Sequence, residues 1–272
     1  MRRIRRPYLF LRVTERRTAF FLSPRVTTNR ILVFILSFLP FVLFAHHAHG
    51  SSVSSSSPDS IGGNGVGKVV RTVGPDAEAR LKPYFDRVGI AYPPDAIALI
   101  GLKEEKRLEL WAERDGAWLF VRAYDVLAAS GVRGPKQRRG DRQVPEGVYQ
   151  IVSLNARSRF HLSMKLNYPN SFDLEKARDE NRSNLGGDIF IHGKAKSSGC
   201  LAVGDRAIEE LFVLVARVGT DNTKVLILPQ DLRKGSLDEG TVYKPPPWLP
   251  ELYRTLEHEI VPFRVREYSG AN

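Results

Sequence analysis

The segment DIFIHGKAKSSGCLAV, residues 188–203, holds the pattern that decides the fold and places the chemistry. Its first residues predict a short strand over 188–192 that ends at His192, and Gly193 lets the chain turn there. The seven residues 193–199 then separate His192 from Cys200. We expect this loop to fold back and to bring the imidazole and the sulfur within reach of each other.

Cys200 is the only cysteine of the 272-residue chain, and it stands downstream of a segment that predicts export. A lone thiol in an exported protein has no partner for an internal disulfide. It is therefore buried and inert, paired between chains, or kept free because its chemistry is used. His192, eight residues earlier, and the small residues beside the thiol favour the last of these.

Cys200 is the candidate nucleophile and His192 the candidate general base. A thiol attacks as its thiolate, and a neighbouring imidazole favours that form. The small residues Ser197, Ser198 and Gly199 allow consecutive backbone N–H groups, with that of Cys200, to turn inward as an oxyanion hole. Together these groups support acyl transfer through a thioester.

Each of the two residues alone has a plainer interpretation. A solitary buried cysteine commonly serves as a small apolar side chain, and a histidine at a strand end commonly serves a structural role. A zinc site needs three or four ligands, and His192 with Cys200 supplies two. We therefore expect no metal and no cofactor.

The positive charge of the chain is concentrated at the N-terminus. Residues 1–30 hold nine arginines and one glutamate, a net +8 of the formal +11, so the body lacks the charge excess of a nucleic-acid-binding protein, and we expect no nucleic-acid partner. The apolar run 31–45 suits the core of a signal peptide better than a membrane span. An uncleaved anchor over residues 31–48 is the alternative, and in either case the body is expected in the periplasm or cell envelope, touching the membrane only through this segment.

Composition divides the chain into three parts. Residues 1–49 form the leader, and residues 50–68 are rich in Ser and Gly with few apolar side chains, which predicts a flexible linker. A single domain is expected over residues 69–267.

Hydrophobic periodicity in this domain predicts a β-rich α+β fold. Helices are expected over 75–87, after Asp205 as N-cap, and at the C-terminal end over 248–258, while Asp115-Gly116 between two β-rich runs predicts a hairpin. We expect a mostly antiparallel curved sheet or sandwich with the helices packed outside. The expected strands are 96–102, 107–113, 149–154, 160–166, 188–192 and 224–228.

The segment 131–144 is polar and basic and is expected to be a loop. Arg138, Arg139 and Arg142 are the cations of this loop that lie nearest the Pro145-Glu146-Gly147 turn into the next strand. Two interpretations stay open: the loop is a solvated surface segment, or it borders a site that binds carboxylates.

These motifs resemble the L,D-transpeptidase (YkuD-type) catalytic domain of bacterial cell-wall enzymes. The resemblance rests on His192-Gly193, on Ser198-Gly199-Cys200 before an amphipathic helix, and on segments 144–149 and 163–173, and it covers about residues 95–228. The motif is most similar to that of the YafK-related subgroup, in which a short loop separates the His-Gly pair from the cysteine. The main branch of the family often has histidine and arginine where this chain has Ser198 and Ala202.

The resemblance implies a YkuD-like fold and a peptidoglycan stem peptide as substrate, cut after its L-centre diamino acid. It assigns Cys200 as nucleophile and His192 as general base and acid, with Ser198, Gly199 and Gly193 in supporting positions. Cys200 would form a thioester with the stem peptide and pass it to an amine acceptor, in the service of cell-wall biogenesis and cell shape. Two alternatives stay open: water as acceptor, which would release a peptide or a wall-linked protein from peptidoglycan, and a non-catalytic envelope-binding module.

Overall fold

The computed structural model describes residues 64–235, 242 and 244–264, in which helices flank a nine-stranded sheet. The helices are α1 Asn64–Thr72, α2 Gly74–Arg87, α3 Ser171–Asp179, α4 Asp205–Val218 and α5 Leu249–Ile260. The strands are β1 Ile97–Leu102, β2 Arg107–Arg114, β3 Ala117–Asp125, β4 Ala128–Ala129, β5 Gly147–Ser158, β6 His161–Leu166, β7 Phe190–His192, β8 Leu201–Ala202 and β9 Thr223–Leu228.

The sheet is mostly antiparallel, in the order β3-β2-β1-β9-β5-β6-β7-β8-β4. Only two pairs are parallel, β1 with β9 and β7 with β8. Strand β5 pairs with β9 through residues 147–150 and with β6 through residues 151–158, and its pairing with β6 contains two register shifts. Such shifts bend a strand, so β5 joins the two halves of a curved sheet, and the predicted β-rich α+β fold is confirmed.

The core has two layers, because alternate residues of the central strands face opposite sides of the sheet. On β1, Ile97 and Leu99 face the layer beneath α2 and α4, whereas Ala98 and Ile100 face the layer beneath α5. The predicted C-terminal helix is confirmed as α5, whose apolar side is buried in the second layer.

The hairpin expected at Asp115-Gly116 joins β2 to β3. Both residues have positive φ, 53° and 77°, as the mirror-image turns that match strand twist require. The expected strands are also present, within a few residues of their predicted ends.

The linker prediction is wrong for residues 64–68, which form the first half of α1. Val66 and Val69 pack against the core, and an ideal Cβ on Gly65 would lie 3.2 Å from the Ala156 Cβ of β5. Packing against the sheet thus stabilises a helix that its own composition does not predict. The rest of the expected linker and the leader, residues 1–63, lie outside the described residues.

None of the helices in the described ranges is long and apolar enough to cross a membrane. The segment 31–48, for which an anchor is the alternative prediction, lies outside those ranges.

Candidate active site

His192 ends β7, and Cys200 immediately precedes β8, the strand that pairs with β7. His192 is the last residue of β7 and pairs with Ala202 of β8, in a parallel register that also joins Ile191 to Leu201. Cys200 lies in a bend directly before β8, two residues before Ala202. The pairing of β7 with β8 thus brings the chain segments that carry the two residues next to each other.

His192 is held by the carbonyl of the next residue. Its Nδ1 lies 2.6 Å from the Gly193 oxygen, and because a carbonyl can only accept, Nδ1 carries the proton and Nε2 keeps its lone pair. The Phe160 ring covers the imidazole at a centroid distance of 4.4 Å and an interplanar angle of 32°. Burial lowers the pKa of His192, an effect that the hydrogen bond to Gly193 opposes, so the ring is a neutral base.

The chain has no room for a side chain at Gly193. An ideal Cβ there would lie 2.6 Å from Asp205 Oδ1 and 2.7 Å from the Phe160 carbonyl oxygen. Asp205 Oδ1 also accepts the Lys194 N–H at 2.8 Å, and the N-cap of α4 is Gly204. The prediction of Asp205 as N-cap is therefore wrong, because its side chain accepts a hydrogen bond from the loop after His192 instead of capping the helix.

The Cys200 thiol is partly buried and protonated. Its Sγ lies 3.7 Å from the Asp188 carbonyl oxygen, to which the S–H donates. Burial is the main cause that raises the pKa of Cys200; the Asp188 carboxylate adds to it, while the backbone at Phe190 and the Lys136 ammonium oppose it. The directions of these two pKa shifts favour a neutral thiol at Cys200 and a neutral imidazole at His192 over a thiolate and an imidazolium.

The N–H groups expected to form an oxyanion hole are engaged by hydroxyls. The Gly199 N–H donates to Ser130 Oγ at 2.6 Å, and the Cys200 N–H donates to Ser197 Oγ at 3.0 Å. Ser197 in turn donates to the Cys200 carbonyl at 2.6 Å, and Gly199 has a φ of 96°. A substrate oxygen would have to replace one of these hydroxyls, while Ser198 lies exposed at the edge of the loop.

A cationic cleft of about 480 Å³ adjoins the nucleophile loop at Ser198 and Asp188. Of the three arginines expected at a substrate rim, Arg139 and Arg142 line this cleft, and Arg138 does not. Its other cation is Lys136, which is buried, pairs with the Asp141 carboxylate and donates to the Arg138 carbonyl at 2.9 Å. The basic loop thus forms a wall of the cleft.

Two residues that the sequence did not mark contribute to the site, Ser130 and Phe160, whereas Lys136 belongs to the basic loop that the sequence did indicate. Ser130 follows β4 and reaches Gly199 across 69 positions of sequence. Phe160 was expected as the first residue of a strand, but it precedes β6, its N–H donates to Ser158 Oγ at 3.1 Å, and its ring stacks on His192. These contacts depend on strand pairing between distant segments, so no local pattern signals them.

No group of three or more His, Cys, Asp or Glu side chains in the described part of the chain is arranged to hold a metal ion. The groups described at the site are the thiol, the imidazole and the surrounding N–H groups and cations.

Comparison with known proteins gives consistent matches over the sheet and the site. The L,D-transpeptidase catalytic domain model YkuD matches residues 96–227. The putative L,D-transpeptidase YafK of Escherichia coli K12 is 31% identical over 132 residues, which are 47% of this chain and 51% of that protein. The chain thus spans about half the length of the curated relatives it matches.

Two solved structures are also similar. The helical cell shape determining protein Pgp2 of Campylobacter jejuni is 22% identical with a TM-score of 0.41, over 52% of this chain and 50% of that one. Bd1075 of Bdellovibrio bacteriovorus is 19% identical with a TM-score of 0.36, over 52% and 50%. The resemblance seen in the sequence is confirmed by the family match: residues 96–227 correspond to the YkuD L,D-transpeptidase catalytic domain.

Proposed function

We propose that this protein is a cell-wall acyltransferase that forms a thioester between Cys200 and a peptidoglycan stem peptide. The proposal is supported by the pairing of β7, which ends at His192, with β8, which Cys200 precedes, and by a cationic cleft that Ser198 and Asp188 line nearby. The family match supports the substrate class, and the cations that line the cleft suit the carboxylates of a stem peptide.

The first step begins at the thiol. Cys200 leaves the Asp188 carbonyl by rotation of its side chain and gives its proton to His192 Nε2 as the sulfur attacks the amide carbonyl. The carbonyl oxygen gains negative charge, and the N–H groups of the loop 198–200 stabilise it once the substrate oxygen has displaced a serine hydroxyl. The C–N bond then breaks, and the imidazolium returns the proton to the leaving amine.

The second step releases the acyl group from the thioester. An amine acceptor gives up a proton to His192, attacks the thioester carbon and restores the thiol. Water in place of the amine makes the same site a hydrolase, which would release a peptide or a wall-linked protein. Ala202 is the reason to keep this second candidate, because it is fully buried and supplies no cation that could hold an acceptor, at the position where the main branch of the resembled family often has arginine.

Arg139, Arg142 and Lys136 are proposed to bind stem-peptide carboxylates. Arg139 and Arg142 have planar guanidinium groups that can donate two parallel hydrogen bonds to a carboxylate. Lys136 is already paired with Asp141 and acts mainly through its charge. Substitution of Arg142 by Gln should raise the KM for a stem peptide, whereas Arg138→Gln, outside the cleft, is the matched control.

Export is part of the same proposal. A basic leader with an apolar run, residues 1–49, would carry the domain to the periplasm or envelope, where peptidoglycan is found. These residues lie outside the described ranges, so cleavage or retention of the leader is tested by the N-terminal sequence of the protein recovered from the envelope of an expressing cell.

The experiment that tests the proposal uses defined muropeptides. The purified protein and a Cys200→Ala variant are incubated with a disaccharide-tetrapeptide, with and without an added D-amino acid, and the products and the intact protein are followed by mass spectrometry. A mass increase on Cys200 with exchanged or cross-linked products supports transfer, and shortened peptides support hydrolysis. If no product depends on Cys200, both candidates are wrong and the non-catalytic binding module remains.

A further inference from the structure

A second cleft of about 460 Å³ opens beside the cationic cleft, and the proposed mechanism makes no use of it. It lies between the ends of β1 and β9, the first part of β5 and the segment that leads into α3. That segment is a shared wall: Asn167, Asn170 and Ser171 line the second cleft, and Pro169 lines the cationic cleft. We call the second one the amide-lined cleft.

The lining of the amide-lined cleft contrasts with that of its neighbour. An indole, Trp118, and a set of amides and hydroxyls face it, and its single lysine, Lys224, pairs with Glu259. Asp221 is the one carboxylate of the lining. A ligand with several carboxylates suits the cationic cleft, whereas this lining suits an uncharged ligand with many hydroxyl or amide groups.

Several polar groups of the cleft keep hydrogen-bonding capacity for a ligand. Asn167 Oδ1 accepts the Gln150 backbone N–H at 2.9 Å, which leaves its NH₂ as a donor. Asn222 Nδ2 donates to the Val218 carbonyl at 3.0 Å, which leaves its Oδ1 as an acceptor. The cleft therefore offers both a donor and an acceptor, and hydroxyl groups, which both donate and accept, can use the two.

Trp118 is held as a fixed platform. It is partly buried, packs against the core layer beneath α5 and meets the Phe263 ring at a centroid distance of 5.0 Å and an angle of 42°. An indole supplies a wide apolar face and a polar edge, which suits the C–H face of a pyranose ring and its hydroxyl groups.

We propose that the amide-lined cleft binds an uncharged N-acetylated sugar of the glycan strand while the cationic cleft holds the attached peptide. This inference rests on the proposed function, because peptidoglycan joins sugar and peptide in one molecule. Residues of the segment 167–171 line both clefts, and the proposal requires that one substrate spans the two. The preference that follows is for glycan-linked stem peptides over free ones.

Direct binding tests the site without any turnover. The probe is the tetramer of N-acetylglucosamine, titrated into the full chain by calorimetry. We expect Trp118→Leu to weaken binding about threefold to tenfold, the equivalent of one lost aromatic contact, and Gln150→Ala to weaken it similarly. Ser153→Ala, three positions further along β5 and also exposed, is the matched control and should bind as the wild type does.

Turnover separates this proposal from the proposed function. On a disaccharide-tetrapeptide, Trp118→Leu and Gln150→Ala should raise KM, whereas on the free tetrapeptide they should leave both KM and kcat unchanged. Cys200→Ala should bind the sugar tetramer normally and turn over neither substrate. Sugar binding without a Cys200-dependent product would refute the proposed function and leave the sugar site standing.

The sugar site is refuted if the wild type does not bind the tetramer, or if both variants bind it as tightly as the wild type. A glycan-linked substrate that gains nothing over the free peptide in the wild type also refutes it. Circular dichroism decides whether Trp118→Leu is folded; if it is not, Gln150→Ala, whose exposed side chain supports no described contact, carries the test.

Discussion

Substitution of Gly193 by alanine should displace the imidazole of His192, although it leaves the His192 side chain itself unchanged. Gly193 supplies the carbonyl that accepts the His192 Nδ1 proton at 2.6 Å. A Cβ at this position would approach Asp205 Oδ1 to 2.6 Å and the Phe160 carbonyl oxygen to 2.7 Å. The Asp205 side chain can rotate away, but it would then give up the Lys194 N–H, whereas the Phe160 carbonyl belongs to the backbone and cannot rotate away.

The magnitude follows from the size of the overlap. Ordinary contact needs about 3.4 Å, so the backbone at Gly193 or Phe160 has to move by roughly 0.7 Å, and overpacking of this kind costs about 1–3 kcal/mol. The same movement displaces the carbonyl that fixes the tautomer and orientation of His192. Misplacement of a catalytic group by about 1 Å costs on the order of 100-fold in rate.

Two measurements on Gly193→Ala check this reasoning. Urea unfolding gives the change in free energy, and mass spectrometry of the intact protein gives the rate of thioester formation at Cys200 with a muropeptide. The matched control is Gly74→Ala, where the Cβ meets Val213 Cγ1 at an ordinary 3.8 Å and stability should stay the same or rise slightly. If Gly193→Ala is as stable and as fast as the wild type, the assignment of the Gly193 carbonyl as the anchor of the base is wrong.

Three further predictions concern charge and hydrogen bonding. Because burial raises the pKa of Cys200, alkylation of the folded protein by iodoacetamide should be slow at neutral pH and should accelerate only above the range of an ordinary thiol; fast alkylation at pH 6 would contradict the neutral pair. Burial also raises the pKa of Asp173 to about 6, so this carboxyl stabilises the fold below its unfolded pKa of about 4 and loses that contribution, up to about 3 kcal/mol, as the pH rises through 6. Asp173→Asn should flatten the pH dependence of the unfolding free energy between pH 4 and 6, and an unchanged profile would show that Asp173 titrates normally. Ser130→Ala removes the acceptor of the buried Gly199 N–H and should lower the unfolding free energy by about 1–3 kcal/mol; an unchanged urea midpoint would mean that water replaces the hydroxyl.

The sequence predicted the elements whose signal is local. The hairpin at Asp115-Gly116 needs positive φ at both residues, and α5 needs one apolar side, and each requirement is visible in a short stretch. The strand that ends at His192 was likewise predicted from its alternation and the glycine that follows. Propensity and burial agree in these segments, so local patterns suffice.

Residues whose role depends on distant segments were not predictable in this way. Helix α1 is stabilised by β5, which begins 75 positions after the helix ends, and the Gly-rich sequence of α1 locally favours a linker. The prediction of an oxyanion hole did not include the serine hydroxyls that accept the Gly199 and Cys200 N–H groups. Of these two serines, Ser197 is close to Cys200 in the sequence and Ser130 is not. The sequence around the arginines of the basic loop does not distinguish one from another. Only the folded structure shows that Arg139 and Arg142 line the cleft and that Arg138 does not.

The electrostatics of the site explain why binding and chemistry have to be coupled in the proposed reaction. A stem peptide brings carboxylates toward a thiol whose pKa burial has already raised, and this added negative charge would disfavour the thiolate further. The cleft cations Lys136, Arg139 and Arg142 offset that charge where the peptide binds, and Lys136 already opposes the rise in the Cys200 pKa. The remaining step, removal of the thiol proton, then falls to the neutral Nε2 of His192 at the moment of attack. A cysteine controlled in this way stays a thiol in the free enzyme and becomes a nucleophile only when a substrate carbonyl lies against it.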